Sequence, residues 1–249
     1  MTALTRSLSI YAREAGAQLL ATARQPQFLA PTLVLPVMFY ALFGVAFARG
    51  HKEVAQWLLA TYAIFAAVGP ALFGLGAGVA AEREAGQLEL KRASPMPSGA
   101  YVGGKLAAGM ILGALALLPI YAVALSAGVS MPVWRWAAIL GLSAASAVPF
   151  ALIGLNLGLR LASQGAVAAA NLLFMAFCML GGLWIPLTQM PHWMTLLAWT
   201  LPSFHLGQLS LGLAGMIPPT DTLAHVAIVL GISLAAAAGA WAAWRREEA

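Results

Sequence analysis

The densest chemistry in the sequence lies between residues 82 and 92. Glu82, Glu84 and Glu89 place three of the chain's eight acids within eight residues, Arg83 sits between the first two, and Lys91 and Arg92 close the run. Carboxylates at the start of a helix and cations at its end complement the helix dipole. The spacing therefore predicts one short charged helix, ended by Ser94-Pro95-Met96-Pro97. Charge ordered in this way suits docking against a protein partner.

Other constellations only partly meet the needs of a chemistry. Gly99-Ala100-Tyr101-Val102-Gly103-Gly104-Lys105 follows a phosphate-binding loop through its seventh position, but Leu106 stands where a Ser or Thr should hold magnesium, and no strand precedes it. Lys105 is expected instead to extend toward the inner headgroups. Gly141-Leu142-Ser143-Ala144 is similar to the nucleophile segment of intramembrane serine proteases, with His225 as base. Their expected depths differ by about 9 Å at roughly 1.5 Å per residue, too far for a hydrogen bond. No His-Glu-x-x-His zinc motif occurs. His192, His205, Met190 and Met194 are soft ligands that could pass a copper ion, although methionines in so apolar a chain are expected as packing residues. Cys178 is the single cysteine, so neither an intramolecular disulfide nor a paired thiolate metal site is available.

The elements that must hold these residues follow from composition. The chain is 61% hydrophobic and 8% charged, against about 45 to 50% and roughly 25% in soluble domains. Apolar runs at 28–48, 57–80, 105–127, 136–159, 165–185 and 223–244 each reach the roughly 20 residues that cross a bilayer. The expected fold is therefore all-α and polytopic, with six transmembrane helices in 26–249. With the N-terminus inside, ten basic residues fall in cytoplasmic segments and three (Arg49, Lys52, Arg135) outside, which predicts both ends in the cytoplasm. The net charge of +5 is thus read as orientation, with no nucleic-acid partner.

Residues 1–25 set Leu4, Leu8, Tyr11, Ala15 and Leu19 on one helical face and Arg6, Arg13 and Arg24 on the other, an amphipathic interfacial helix suited to anionic lipid or an acidic partner. Pro26 breaks it. Gly74/Gly78, Gly109/Gly113 and Gly154/Gly158 recur at the spacing that permits close helix contact. Outer segment 186–222 carries Trp193 and Trp199 and no basic residue, predicting short interfacial or re-entrant helices that cap the outer mouth. Asn156, Asn171 and Gln164 are the main polar groups inside spans, and no acid lies at an expected midplane. Proton coupling usually needs one there, so energy is expected to enter through the cytoplasmic segment, 81–104.

Glu82-Arg83-Glu84-Ala85-Gly86-Gln87-Leu88-Glu89, followed by Arg92-Ala93-Ser94-Pro95, resembles the signature of type-2 ABC exporter permeases, with Gln87 where Thr is commoner. Gly182-Leu183-Trp184-Ile185-Pro186, Met190-Pro191-His192-Trp193 and Leu201-Pro202 with His205 resemble that family's fifth-span exit and outer helices. The resemblance implies a half-transporter in a bacterial cytoplasmic membrane. It pairs with a second permease copy, as homodimer or with a sister chain, and with a separate ATPase that holds the ATP and magnesium. It further implies that Glu82, Arg83, Glu84, Gly86, Leu88, Glu89, Lys91 and Arg92, with Arg6, Arg13 and Arg24, meet the ATPase. Trp184, Pro186, Trp193, Pro202 and His205 would line the outer gate for a hydrophobic or amphipathic molecule, lipid or glycan. On this reading the chain is not an enzyme and binds no cofactor. An ATP-independent carrier, channel or scaffold, a copper exporter and an intramembrane protease are the competing classes.

Overall fold

The computed structural model describes residues 3–93, 96–218 and 220–246, and leaves aside the side chains of residues 3–8, 26–29, 92 and 98. The described residues form helices and no strands: α1 (Ala3–Ala23), α2 (Pro26–Phe39) running on into a π-helical turn (Tyr40–Ala46), α3 (Lys52–Leu75), α4 (Ala77–Glu84), α5 (Gln87–Ala93), α6 (Ser98–Ser126), α7 (Val133–Arg160), α8 (Ser163–Met179), a short 3-10 turn (Leu187–Gln189), α9 (His192–Ala198), α10 (Pro202–Ala214) and α11 (Thr222–Arg246).

Four described stretches are long and apolar enough to cross a membrane: Lys52–Glu84, Gly99–Ser126, Val133–Arg160 and Thr222–Arg246. They correspond to the second, third, fourth and sixth expected spans. The first and fifth are represented by the shorter apolar helices Ala30–Ala46 and Ser163–Met179. A 17-residue helix such as α8 measures about 26 Å, a little less than the roughly 30 Å of hydrocarbon.

The α3–α4 stretch is the hub. Inside the protein, 83% of its apolar window is buried, against 11% for α11. α6, α7 and α10 pack on α3, while α11 lies on α7 and α10 and turns Leu223, Leu230, Leu234 and Trp241 outward. Small side chains make the hub possible. Ala60, Ala63, Ala66, Ala67 and Ala71 of α3 are fully buried. A Cβ on Gly113 would sit 3.0 Å from that of Ala67, and one on Gly158 would sit 2.7 Å from the Gly76 carbonyl oxygen. Two of the three expected glycine pairs are thus helix contacts. Gly74 meets nothing within 4 Å and Gly78 nothing nearer than 3.8 Å, so the third is not.

Polar groups within the bundle join its helices. Ser143 Oγ donates to the Ala63 carbonyl at 2.7 Å and Ser210 Oγ to that of Ala60 at 2.6 Å. Asn156 Nδ2 and Arg160 Nη2 donate to Ala236 and Gly239 of α11 at 2.7 and 2.8 Å. The π-helical turn seats the Tyr40 ring over Gly44 and sends the Tyr40 hydroxyl to the Ala55 carbonyl at 3.0 Å, tying the first apolar helix to the start of α3.

Candidate functional site

The segment expected as one helix over 82–92 is two helices. α4 ends at Glu84, Gly86 turns the chain at φ +68°, and α5 begins at Gln87. Only glycine adopts that conformation without strain. Glu82 and Glu84 therefore stand at a helix C-terminus, where their own dipole disfavours them. Neighbouring helices supply the compensation.

Each residue of Glu82-Arg83-Glu84 clamps a different helix. Glu82 accepts from Lys105 Nζ at 2.7 Å and from the Tyr101 hydroxyl at 2.6 Å, both on α6. Arg83 donates to the carbonyls of Leu159 and, at 2.8 Å, Leu161, covering the C-terminus of α7. Glu84 accepts the Ser163 backbone N–H at 2.8 Å, at the N-terminus of α8. A cation over terminal carbonyls and an anion over terminal N–H groups both favour the adjoining dipoles. Lys105 is 7% exposed, so it does not extend to the headgroups as expected. The Glu82 carboxylate holds it inside, where an unpaired cation is costly.

The same layer holds α1. Lys91 of α5 pairs with Glu14 of α1, Gln18 donates to Glu14 at 2.8 Å, and Lys105 Nζ reaches Gln18 at 3.1 Å. Lys91 also lies 4.7 Å from the centroid of the Tyr101 ring. Burial pushes the Glu14 carboxyl up, but hydrogen bonds from Lys91 and Gln18 and the charges of Lys91 and Lys105 outweigh it and hold the group below its ordinary 4.5. The glycines of the apparent phosphate loop receive α1: a Cβ on Gly103 would lie 2.7 Å from Tyr11 Cε1, and one on Gly104 2.6 Å from Glu14 Cγ.

What the layer leaves outward is the far edge of α5. Leu88 anchors it at 2% exposed, whereas Leu90 is 73% exposed and Glu89 is exposed beside it. Arg13 on α1 and Arg24 in the turn just after it are exposed. The side chains of Arg6 and Arg92, and Ser94 and Pro95 of the motif, lie outside the described residues.

At the opposite end, Trp184 and Pro186 line a cavity of about 750 Å³ together with Phe39, Phe43, Trp57 and Tyr62. Glu53 and Gln189 are its polar members. The Tyr62 hydroxyl and Trp184 Nε1 are buried without a hydrogen-bond partner among the described residues. Pro202 and His205 are buried in α10, while Trp193 on α9 is 58% exposed. The residues weighed as copper ligands do not converge, since His192 sits by Thr195 and His205 meets His225 with Nδ1 atoms 2.7 Å apart. Ser143 and His225 are likewise engaged separately. Sequence reasoning missed Glu14, Gln18, Tyr101 and the His205–His225 pair. The near-absence of other acids in the first 50 residues, where Glu14 stands alone, was the one signal for the first of these.

Among the described residues, the helical bundle built on four stretches of spanning length, with a clamped charged layer at one end and an aromatic cavity at the other, is that of a multi-pass membrane protein. The chain belongs to the ABC-2 type transporter family, whose sequence pattern matches residues 15–213. It is also 23% identical over 204 residues, 80% of this chain and 83% of the relative, to the protein named "Putative transport permease YvfS" of Bacillus subtilis (strain 168).

Proposed function

We propose that the chain is the membrane subunit of an ATP-driven exporter that moves a small hydrophobic or amphipathic molecule, or a lipid, out of a bacterial cytoplasm. The observation that carries the reading is the outward Glu89–Leu90 edge of α5 on a base clamped to α1, α6, α7 and α8. A push on that edge is delivered to four helices at once, which suits rigid-body motion better than local yielding. A separate ATPase, with its ATP and magnesium, docks there, and a second permease copy completes the path. Six spans with both ends in the cytoplasm follow if Ala30–Ala46 and Ser163–Met179 cross beside the four long stretches, and the basic residues around α1, α5 and the end of α11 favour that orientation.

The aromatic cavity supports the substrate class. Its walls suit an apolar body, and Tyr62 and Trp184 offer two unused donors to an acceptor on it. Purification of the tagged chain from cells that co-express a candidate ABC ATPase from the same genome tests the proposal. Stoichiometric co-elution with vanadate-sensitive ATP hydrolysis in lipid is expected, and a well-folded bundle that never retains an ATPase contradicts it.

A further inference from the structure

His205 and His225 lie 20 residues apart and are 0% and 8% exposed. Their hydrogen bonds fix where a proton can go. His205 Nε2 is 2.9 Å from the Trp199 carbonyl oxygen, which only accepts, so that nitrogen carries the hydrogen. His205 Nδ1 is then a lone pair, and His225 Nδ1, 2.7 Å away, must be the donor. Both nitrogens of His205 and the Nδ1 of His225 are spoken for. An added proton has one place, His225 Nε2, which turns that ring into a cation.

His225 lines a cavity of about 800 Å³ between α7, α10 and α11, together with Arg135, Gln208 and Thr222. No acid is among its lining residues. Arg135 donates from Nη1 to the Ala214 carbonyl at 2.8 Å, while its Nε is buried with no partner among the described residues. Leu142, Leu213 and Val226 supply apolar wall. Around His225 the charged and titratable groups are His205 on α10, Arg135 on α7 and the exposed Asp221 on the turn before α11.

We propose that this cavity binds the anionic head of an amphiphile, with Arg135 as the permanent cation and His225 Nε2, a lone pair while the ring is neutral, becoming a second, cationic donor when the medium on that side acidifies. Its apolar wall takes the tail, which distinguishes the ligand from a free inorganic ion. The site goes beyond the exporter reading and is tested without any ATPase.

The probe is decanesulfonate, which stays ionised across the titration, added to the full-length chain in maltoside micelles, with decanol as uncharged control and inorganic sulfate as competitor. Binding is expected to tighten about tenfold from pH 8 to about pH 5.5, as the imidazole charges. His225→Asn should remove the pH dependence and keep the binding seen at pH 8, and Arg135→Gln should abolish binding. Because Arg135 also holds the end of α10, Val226→Glu, which puts an acid on the wall without touching that bond, is the second variant and should abolish binding too. Equal binding of decanol, equal competition by sulfate, pH-independent binding by the unaltered chain, or full binding by Val226→Glu would each overturn the proposal.

Discussion

Lys105 Nζ lies 2.7 Å from Glu82 Oε1, with the lysine 7% and the glutamate 22% exposed, at the point where α1, α4 and α6 meet. Removing one partner of such a buried pair strands the other charge and typically costs about 3 to 5 kcal/mol, whereas removing both is often close to neutral. Thermal unfolding in detergent should show Glu82→Gln and Lys105→Met each lowering stability by several kcal/mol on that scale. The double variant should recover most of the loss. Additive losses would mean the pair is not coupled.

Glu84 and Glu89 both lie in the stretch that resembles the permease signature, yet their surroundings differ. Glu84 covers the N-terminus of α8 through the Ser163 N–H, so Glu84→Ala should lower stability by about 1 kcal/mol. Glu89 is exposed, and Glu89→Ala should leave unfolding unchanged while weakening retention of the ATPase. Equal effects of the two on unfolding would contradict this division.

Gly104 receives Glu14 so closely that a Cβ there would lie 2.6 Å from its Cγ. Gly104→Leu should lift α1 off α6 and open it to added protease, with the rest of the bundle intact. Protection equal to that of the unaltered chain would show that α1 is held elsewhere.

The Glu14 carboxyl is held below its ordinary 4.5 by Lys91, Gln18 and Lys105 against the opposing effect of burial. A depressed carboxylate contributes stability that is full above about 4.5 and is lost as pH falls through the lower folded value. Protease cleavage within α1 should therefore rise on acidification below about pH 4.5, and Glu14→Gln should flatten that acid limb. An unchanged limb would assign it to another group.

The sequence displays the apolar runs, the small-residue pairs that seat α6 and α7 on α3, and the unusual charge of residues 82–92, because these depend on local pattern. Partner choice across the bundle depends on long-range register. Glu84 finds its N–H 79 residues away and Arg83 its carbonyls 76 and 78 residues away, so charges read as serving their own helix serve three others. Gly86 reads as helix interior until its φ of +68° is known. Gly99, Gly103 and Gly104 imitate a phosphate loop because the close approach of Tyr11 and Glu14 of α1 and phosphate binding make the same demand, the absence of a Cβ. In sequence His205 and His225 belong to separate elements, and only the return of α10 onto α3 and α11 brings their rings to 5.0 Å.

Docking of the driving ATPase on the outward edge of α5 is tested most directly by cross-linking. The single native cysteine, Cys178, is fully buried, so Leu90→Cys introduces one accessible thiol. In membranes co-expressing the ATPase, a short thiol-to-amine cross-linker should join Leu90→Cys to the ATPase in good yield, with the yield changing on addition of ATP and vanadate. Trp193→Cys, at the opposite end of the bundle, should give none. A cross-link from Trp193→Cys, or none from Leu90→Cys while the two chains still co-purify, would contradict the account.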